Sequence, residues 1–299
     1  MKWIGVLPLL PIVSPFSTRL RVPSGGWCPA AHLVPPLEDE RVAIVDVNAT
    51  VVQGCNVMRR ALVLHLHKRL TKDDDHARTE RADWAYREGG LTESTQGSTN
   101  LKQFAFLIQL AQSQERHSGG GIVNICETGF NWGTSSLAWL CASPATRVFS
   151  FDLDQGYKTS TIHGRPYIHE AAAWLQRRFP GRLTLTLGDS FRTVPGFVRQ
   201  HKRQPLCDII LADGGHDAAN AYADMRNLRC VAKRNALLLA DDCDPEPPGL
   251  RAQKLGVHIA YTRMREEGFL RHRSAHNFSS RLCCLSDVQS TGARQRTGY

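Results

Sequence analysis

The chain has 299 residues, 42% of them hydrophobic and 22% charged. That allows one sizeable core and excludes wholesale disorder, collagen-like and coiled-coil architectures. Lys and Arg number 37 against 28 Asp and Glu, but residues 246–299 alone carry 9 basic and 4 acidic side chains, while the rest is near balance. Scattered charge without interleaved aromatic platforms argues against a specific nucleic-acid partner.

Residues 1–40 read as a leader. The apolar stretch from Trp3 to Phe16 is too short to span a bilayer and is interrupted by Pro8, Pro11 and Pro15, so no membrane span is expected. Its length suits a secretory signal, Arg19, Arg21 and the serines suit an organelle transit peptide, and an unstructured leader is an equal alternative. A cytoplasmic or an organellar location follows accordingly. Residues 41–118 form a helical extension. The basic amphipathic stretch VMRRALVLHLHKRL ends at Asp73, Asp74 and Asp75, residues 88–100 are turn formers, and Leu101, Phe104, Leu107, Ile108 and Ala111 recur at helical spacing.

From Ile122 the rhythm changes. Short apolar runs of strand length at 122–127, 147–152, 183–187, 207–213 and 236–241 alternate with helical stretches at 166–179, near 191–201, 220–232 and 249–267, and SSRLCCLSD at 279–287 reads as a last strand. This is the pattern of an α/β domain whose parallel strands are covered on both faces, spanning residues 119–287, with 288–299 as a disordered tail. Nine cysteines occur with no Cys-x-x-Cys pair and no zinc-ligand spacing. Cys126, Cys207 and Cys230 lie in or beside apolar runs, which predicts buried thiols in a reducing compartment rather than a disulfide framework.

The first strand runs into the turn ETGFNWGTSS and then a helix. Glycine there permits close backbone approach, and a helix N-terminus presents free amides, so the turn from Glu127 to Ser135 is a candidate ligand site; a plain strand-to-helix turn is the alternative. The spacing is neither the pyrophosphate fingerprint nor a P-loop. Asp152 ends the second strand 23 residues after Gly129, the spacing of an acid that accepts from ribose hydroxyls, with Asp154 in reserve. Asp189 and Ser190 follow the third strand, where they suit an adenine edge or a helix cap. Asp213 closes the fourth strand, and Asp241 with Asp242 closes the fifth. Converging carboxylates repel one another unless a hard cation such as magnesium compensates or each finds its own cap or Arg partner. His216 lies on the loop Asp213-Gly214-Gly215-His216, where imidazole can move a proton near neutrality.

These residues resemble the class I S-adenosylmethionine-dependent methyltransferases, and among them the Asp-Gly-x-His small-molecule O-methyltransferases of the catechol and macrolide-sugar types. The resemblance rests on ETGFNWGTS, FSFDLD, GDS, CDIILADGGHDAANAYADMRNL and LLLADDC in that order. It implies a doubly wound, seven-stranded, mostly parallel Rossmann-like sheet of order 3-2-1-4-5-7-6, for whose antiparallel seventh strand SSRLCCLSD is the candidate. It also implies S-adenosylmethionine held by Glu127, Gly129, Gly133 and Ser135 at the methionine end, by Asp152 at the ribose and by Asp189 and Ser190 at the adenine. Magnesium on Asp213, Asp241 and Asp242, His216 as general base, and a small hydroxylated acceptor covered by helices from 55–112 complete the implied site. One departure is the turn before the fifth strand, Lys233-Arg234-Asn235-Ala236, which such enzymes make from Pro and Gly; Asn tolerates the left-handed dihedral needed. The alternative function is a non-catalytic cofactor-binding or RNA-associated module on the same fold.

Overall fold

The computed structural model describes residues 49–70, 100–153, 167–243, 255–278 and 282–289. The leader, Asp73 to Asp75, nearly all of the polar loop at 88–100, Asp154 and nearly all of the tail lie outside them. In chain order the elements are α1 (Ala49–Leu70), α2 (Leu101–His117), β1 (Val123–Thr128), α3 (Thr134–Ala142), β2 (Thr146–Asp152), α4 (Tyr167–Arg178), β3 (Leu183–Leu187), α5 (Ser190–Gln200), β4 (Cys207–Ala212), α6 (Ala218–Leu228), β5 (Ala232–Ala240), α7 (Leu255–Glu266), β6 (Leu270–Asn277) and β7 (Leu282–Val288).

All seven strands join one sheet in the order β3-β2-β1-β4-β5-β7-β6, the expected Rossmann-like arrangement. Strands β1 to β5 pair in parallel, while β7 runs antiparallel to both β5 and β6. Consecutive side chains of a strand face opposite ways, which divides the core in two. Ile209 and Leu211 of β4 and Leu237 and Leu239 of β5 meet Leu62 and Leu66 of α1, Leu107 and Ile108 of α2, Leu137 of α3 and Leu175 of α4. Ile210, Ala212, Leu238 and Ala240 meet Val194 of α5, Tyr222 and Met225 of α6 and Val257 and Met264 of α7. Each fully buried apolar side chain contributes about 1.5–3 kcal/mol, so burial on both faces explains why these strands read as unbroken apolar runs. The helices of the N-terminal extension share the first of these clusters with the sheet.

Local departures have local causes. The stretch at 220–232 does not stay helical throughout: α6 stops at Leu228, a 3-10 turn covers Arg229–Val231, and β5 is already under way at Ala232. Asn235 takes the left-handed conformation, φ 64°, beside a register irregularity between β4 and β5. Lys233 to Ala236, expected as a turn before the fifth strand, instead lie within β5, where Asn235 supplies the left-handed residue and Lys233 Nζ donates to the buried Asp208 carboxylate at 2.8 Å.

The expectation of reduced thiols is overturned. Disulfides join Cys55 of α1 to Cys141 of α3, Cys126 of β1 to Cys207 of β4, and Cys243 to Cys284 of β7, and Cys230 is disulfide-bonded as well. Burial inside apolar runs was no guide to redox state, because adjacent strands place side by side two cysteines that are 81 residues apart in sequence. Linking residues 41 to 86 apart removes chain entropy from the unfolded state corresponding to about 4 kcal/mol or more per link.

Candidate functional site

Parallel strands place their C-terminal ends along one edge of the sheet, and the loops that follow β1, β2, β3, β4 and β5 meet there. The β1 turn sits tightly on the β4 loop. Gly129 has φ 91°, and a Cβ built on it would stand 1.9 Å from the carbonyl oxygen of Asp213. Gly133 begins α3 in the left-handed conformation without any side-chain cap, so amides of the first helical turn stay available to a ligand. A Cβ at Gly133 would approach Phe130 and Leu175 within 2.8 and 3.0 Å. Between these glycines, the backbone N–H of Asn131 donates to Asp152 Oδ2 at 2.8 Å, which brings the acid of β2 to the turn.

Glu127 is wholly buried. One carboxylate oxygen accepts from Ser136 and from Ser150, the latter at 2.9 Å, and the other from the Trp139 indole at 3.0 Å. Burial pushes its carboxyl up, and those hydrogen bonds oppose the shift. Both oxygens are thus engaged in joining β1, β2 and α3 beneath the turn. Ser135 is buried at the first turn of α3. Asp189 is exposed and caps α5 by accepting from Phe191 N at 2.9 Å, the alternative role open to it from sequence. Ser190 begins the same helix.

The acids after β4 and β5 do converge. Asp213 and Asp241 line one small cavity with His216 and Asp224, and His216 Nε2 lies 3.0 Å from Asp242 Oδ2. The donors around these carboxylates belong to the chain itself. Asp241 Oδ1 accepts from Gln103 Nε2 of α2 at 2.9 Å and from the Cys283 thiol of β7 at 2.6 Å. Among the described residues no group of three His, Cys, Asp or Glu is arranged to hold a metal ion. With Asp241 facing an amide and a thiol, and Asp242 facing an imidazole, the expected magnesium ligands do not fit a cation in this arrangement. The glycine turn and Asp152 do fit S-adenosylmethionine: the positive-φ glycines leave no room for side chains, α3 begins uncapped, and an acid stands beside the turn.

Two residues of the site escaped the sequence reading. Gln103 looks like any polar residue of an amphipathic helix, and only its placement over β5 brings its amide to Asp241. Asp224 sits mid-helix in α6, where a carboxylate usually meets solvent, yet it is 2% exposed. The preceding loop passes close over it, since a Cβ on Gly214 would lie 2.9 Å from Asp224 Oδ2 and 3.1 Å from Thr128 Oγ1. The faint signal was the pair of glycines after Asp213, which permits that approach.

Burial raises the Asp224 carboxyl from 3.8 to about 7, with the Ser190 and Thr128 hydroxyls pulling it down and Asp217 and Asp189 pushing it further up. A carboxyl whose folded value is raised favours the fold fully below its unfolded value, and that contribution fades as pH climbs to the folded one. Asp224 should therefore reduce stability progressively between about pH 4 and pH 7, by at most about 4 kcal/mol. Asp224→Asn should flatten this part of the wild-type curve of melting temperature against pH. Parallel curves for the two proteins would show that Asp224 does not titrate in this window.

The comparisons agree with the geometry. Residues 126–243 match a protein family described as a methyltransferase domain. Cofactor-bound Rv0187 from MTB superposes with a TM-score of 0.50 at 20% identity, covering 72% of this chain and 90% of that one. The O-methyltransferase TomG from Streptomyces achromogenes gives 0.49 at 14%, covering 73% and 92%. An O-methyltransferase from Bacillus cereus gives 0.46 at 15%, covering 82% and 93%. No match is found among the curated proteins. The 3-2-1-4-5-7-6 sheet brings together the strand-end loops of the stretch that matches, and residues 126–243 are thus similar to a methyltransferase domain built on this fold.

Proposed function

We propose that the chain methylates a hydroxyl oxygen of a small acceptor, with His216 as the base that takes the hydroxyl proton. The observation that supports this most is the pairing of His216 with Asp242 on a loop whose backbone also supports the Gly129 turn. Base and donor site are thereby built from the same few residues. Bound S-adenosylmethionine supplies an already electrophilic methyl group, so the chain's tasks are alignment and proton removal. Glu127, from below, holds the turn against β2 and α3. In this reading Asp152, beside the turn, would accept from the ribose hydroxyls, and Asp189 and Ser190 would meet the adenine. The Asp242 carboxylate accepts from Nε2–H of His216, which leaves the Nδ1 lone pair to receive the acceptor's proton; a carboxylate that orients and stabilises the imidazolium in this way makes the ring a better base. Helix α2 reaches the acceptor side through Gln103, and no membrane-spanning helix occurs among the described residues.

No step in this reading passes through a metal. The magnesium expectation rests on the resemblance, whereas Gln103, Cys283 and His216 already face the acids it would need. Methyl transfer screened over catechols, sugars and other hydroxylated metabolites, each with and without excess chelator, tests both halves. Expected is an oxygen-methylated product whose rate of formation survives the chelator. Transfer that stops in chelator and returns with magnesium would restore Asp213, Asp241 and Asp242 as ligands, and failure of every hydroxylated acceptor would favour the non-catalytic alternative.

A further inference from the structure

Among the described residues three disulfides crosslink the fold and Cys230 is disulfide-bonded as well, while Cys283, the free cysteine among them, is sealed at 0% exposure with its thiol donating to Asp241. A chain that pairs its cysteines and buries a leftover thiol suits an oxidising compartment, since cytosolic thiols are kept reduced. In such a compartment a second feature gains meaning. Asn277-Phe278-Ser279 has the form Asn-x-Ser with x other than Pro, the acceptor pattern for N-linked sugar in secreted proteins. The fold presents it appropriately. Asn277 is exposed at the end of β6, the edge strand of the sheet, while Phe278 is buried at 7% and its carbonyl accepts from Asn100 Nδ2 at 2.7 Å. The anchored Phe278 holds the backbone, and the neighbouring asparagine remains in solvent.

We propose that this methyltransferase matures in an oxidising secretory compartment and carries an N-linked glycan on Asn277. The Nδ2 of Asn277 attacks the anomeric carbon of an oligosaccharide borne on a lipid diphosphate. The new C–N bond forms as the C–O bond to the diphosphate breaks, the lipid diphosphate leaves with the bonding electrons, and one amide proton passes to solvent. Each disulfide forms as two thiols pass two electrons and two protons to a disulfide-bearing oxidant, which becomes a dithiol. Asn277 pairs with Leu282 of β7 on one side only, because β6 ends the sheet, and a bulky polar glycan on that last strand would hinder its pairing with other chains. A second triplet, Asn48-Ala49-Thr50, begins at a residue outside those described.

The test uses the full chain with its own N-terminal segment, expressed in eukaryotic cells and lysed in a thiol-alkylating agent. Peptides are then mapped without reduction, before and after an N-glycosidase that converts a glycosylated asparagine to aspartate. Expected are crosslinked peptides for Cys126–Cys207 and Cys243–Cys284, and recovery of position 277 as aspartate only after the glycosidase. Asn277→Gln and Ser279→Ala should each lose the glycosidase-sensitive gel shift contributed by this site, and Ser279→Thr, which keeps the acceptor pattern, should retain it. An unmodified Asn277 peptide, including the case in which Asn48 alone carries sugar, overturns the glycan. Alkylated Cys126 and Cys207 overturn the compartment. Neither readout depends on methyl transfer.

Discussion

Gly129→Ala is expected to abolish cofactor binding and to destabilise the methyltransferase domain. The added methyl would lie 1.9 Å from the Asp213 carbonyl oxygen and 2.6 Å from its carbon. Both are backbone atoms of the loop that carries His216, so no side-chain rotation relieves the overlap. The φ of 91° adds strain for any residue with a Cβ. Overpacking and backbone strain each cost about 1–3 kcal/mol, and here they coincide, so a loss of about 3 kcal/mol or more is expected. For a domain of this size that is a fall in melting temperature on the order of 6–12 °C. Calorimetry with S-adenosylmethionine on whatever fraction stays folded checks the other half of the expectation, because relief requires the turn to move away from the β4 loop. A folded Gly129→Ala protein with wild-type melting temperature and cofactor affinity would remove the turn from the site. Gly181, which has φ 70° and nothing within 4 Å of where a Cβ would stand, is the control position: strain alone acts there, and the loss should be smaller.

The residues themselves show what a sequence can reveal here. The parallel strands were legible because both faces of the sheet are covered, so IILA of β4 and ALLLA of β5 read as apolar runs and VNICET as a mostly buried one. Strand β6 was not. LRHRSAHN is an edge strand of mostly half-buried and exposed residues, and its Arg271 and Arg273 pair with Asp287 of β7, a partnership invisible in a local pattern. The acids at the ends of β2, β4 and β5 could be placed from strand ends alone. What compensates them could not, because Gln103 and Cys283 reach Asp241 from positions 138 and 42 residues away. Burial of Asp224 depends on a glycine loop folding over its helix, and the disulfide pairs depend on strand adjacency. In each case the missing information is long-range contact, whereas the chemistry of single positions was readable.

His216→Ala should lose about 10²- to 10⁴-fold in turnover, the range typical of a positioned base, with cofactor affinity nearly unchanged. The geometry explains that split. His216 lines the cavity and is partly exposed, with 30% of its side chain accessible and Asp242 Oδ2 as an ion-pair partner, so its removal empties no core position. It does leave a carboxylate with 3% side-chain exposure short of a partner, at a cost of about 1–3 kcal/mol in stability. Asp242→Asn serves as the companion variant. It keeps size and packing but takes away the carboxylate that orients the ring, so turnover should fall in it as well, by less than in His216→Ala. The decisive measurement is single-turnover methyl transfer by folded His216→Ala at saturating S-adenosylmethionine, once the screen has supplied an acceptor, with cofactor affinity determined on the same preparation. A rate reduced at least about a hundredfold beside unchanged affinity is the predicted result; wild-type turnover in the folded variant, with only its melting temperature lowered, would contradict it.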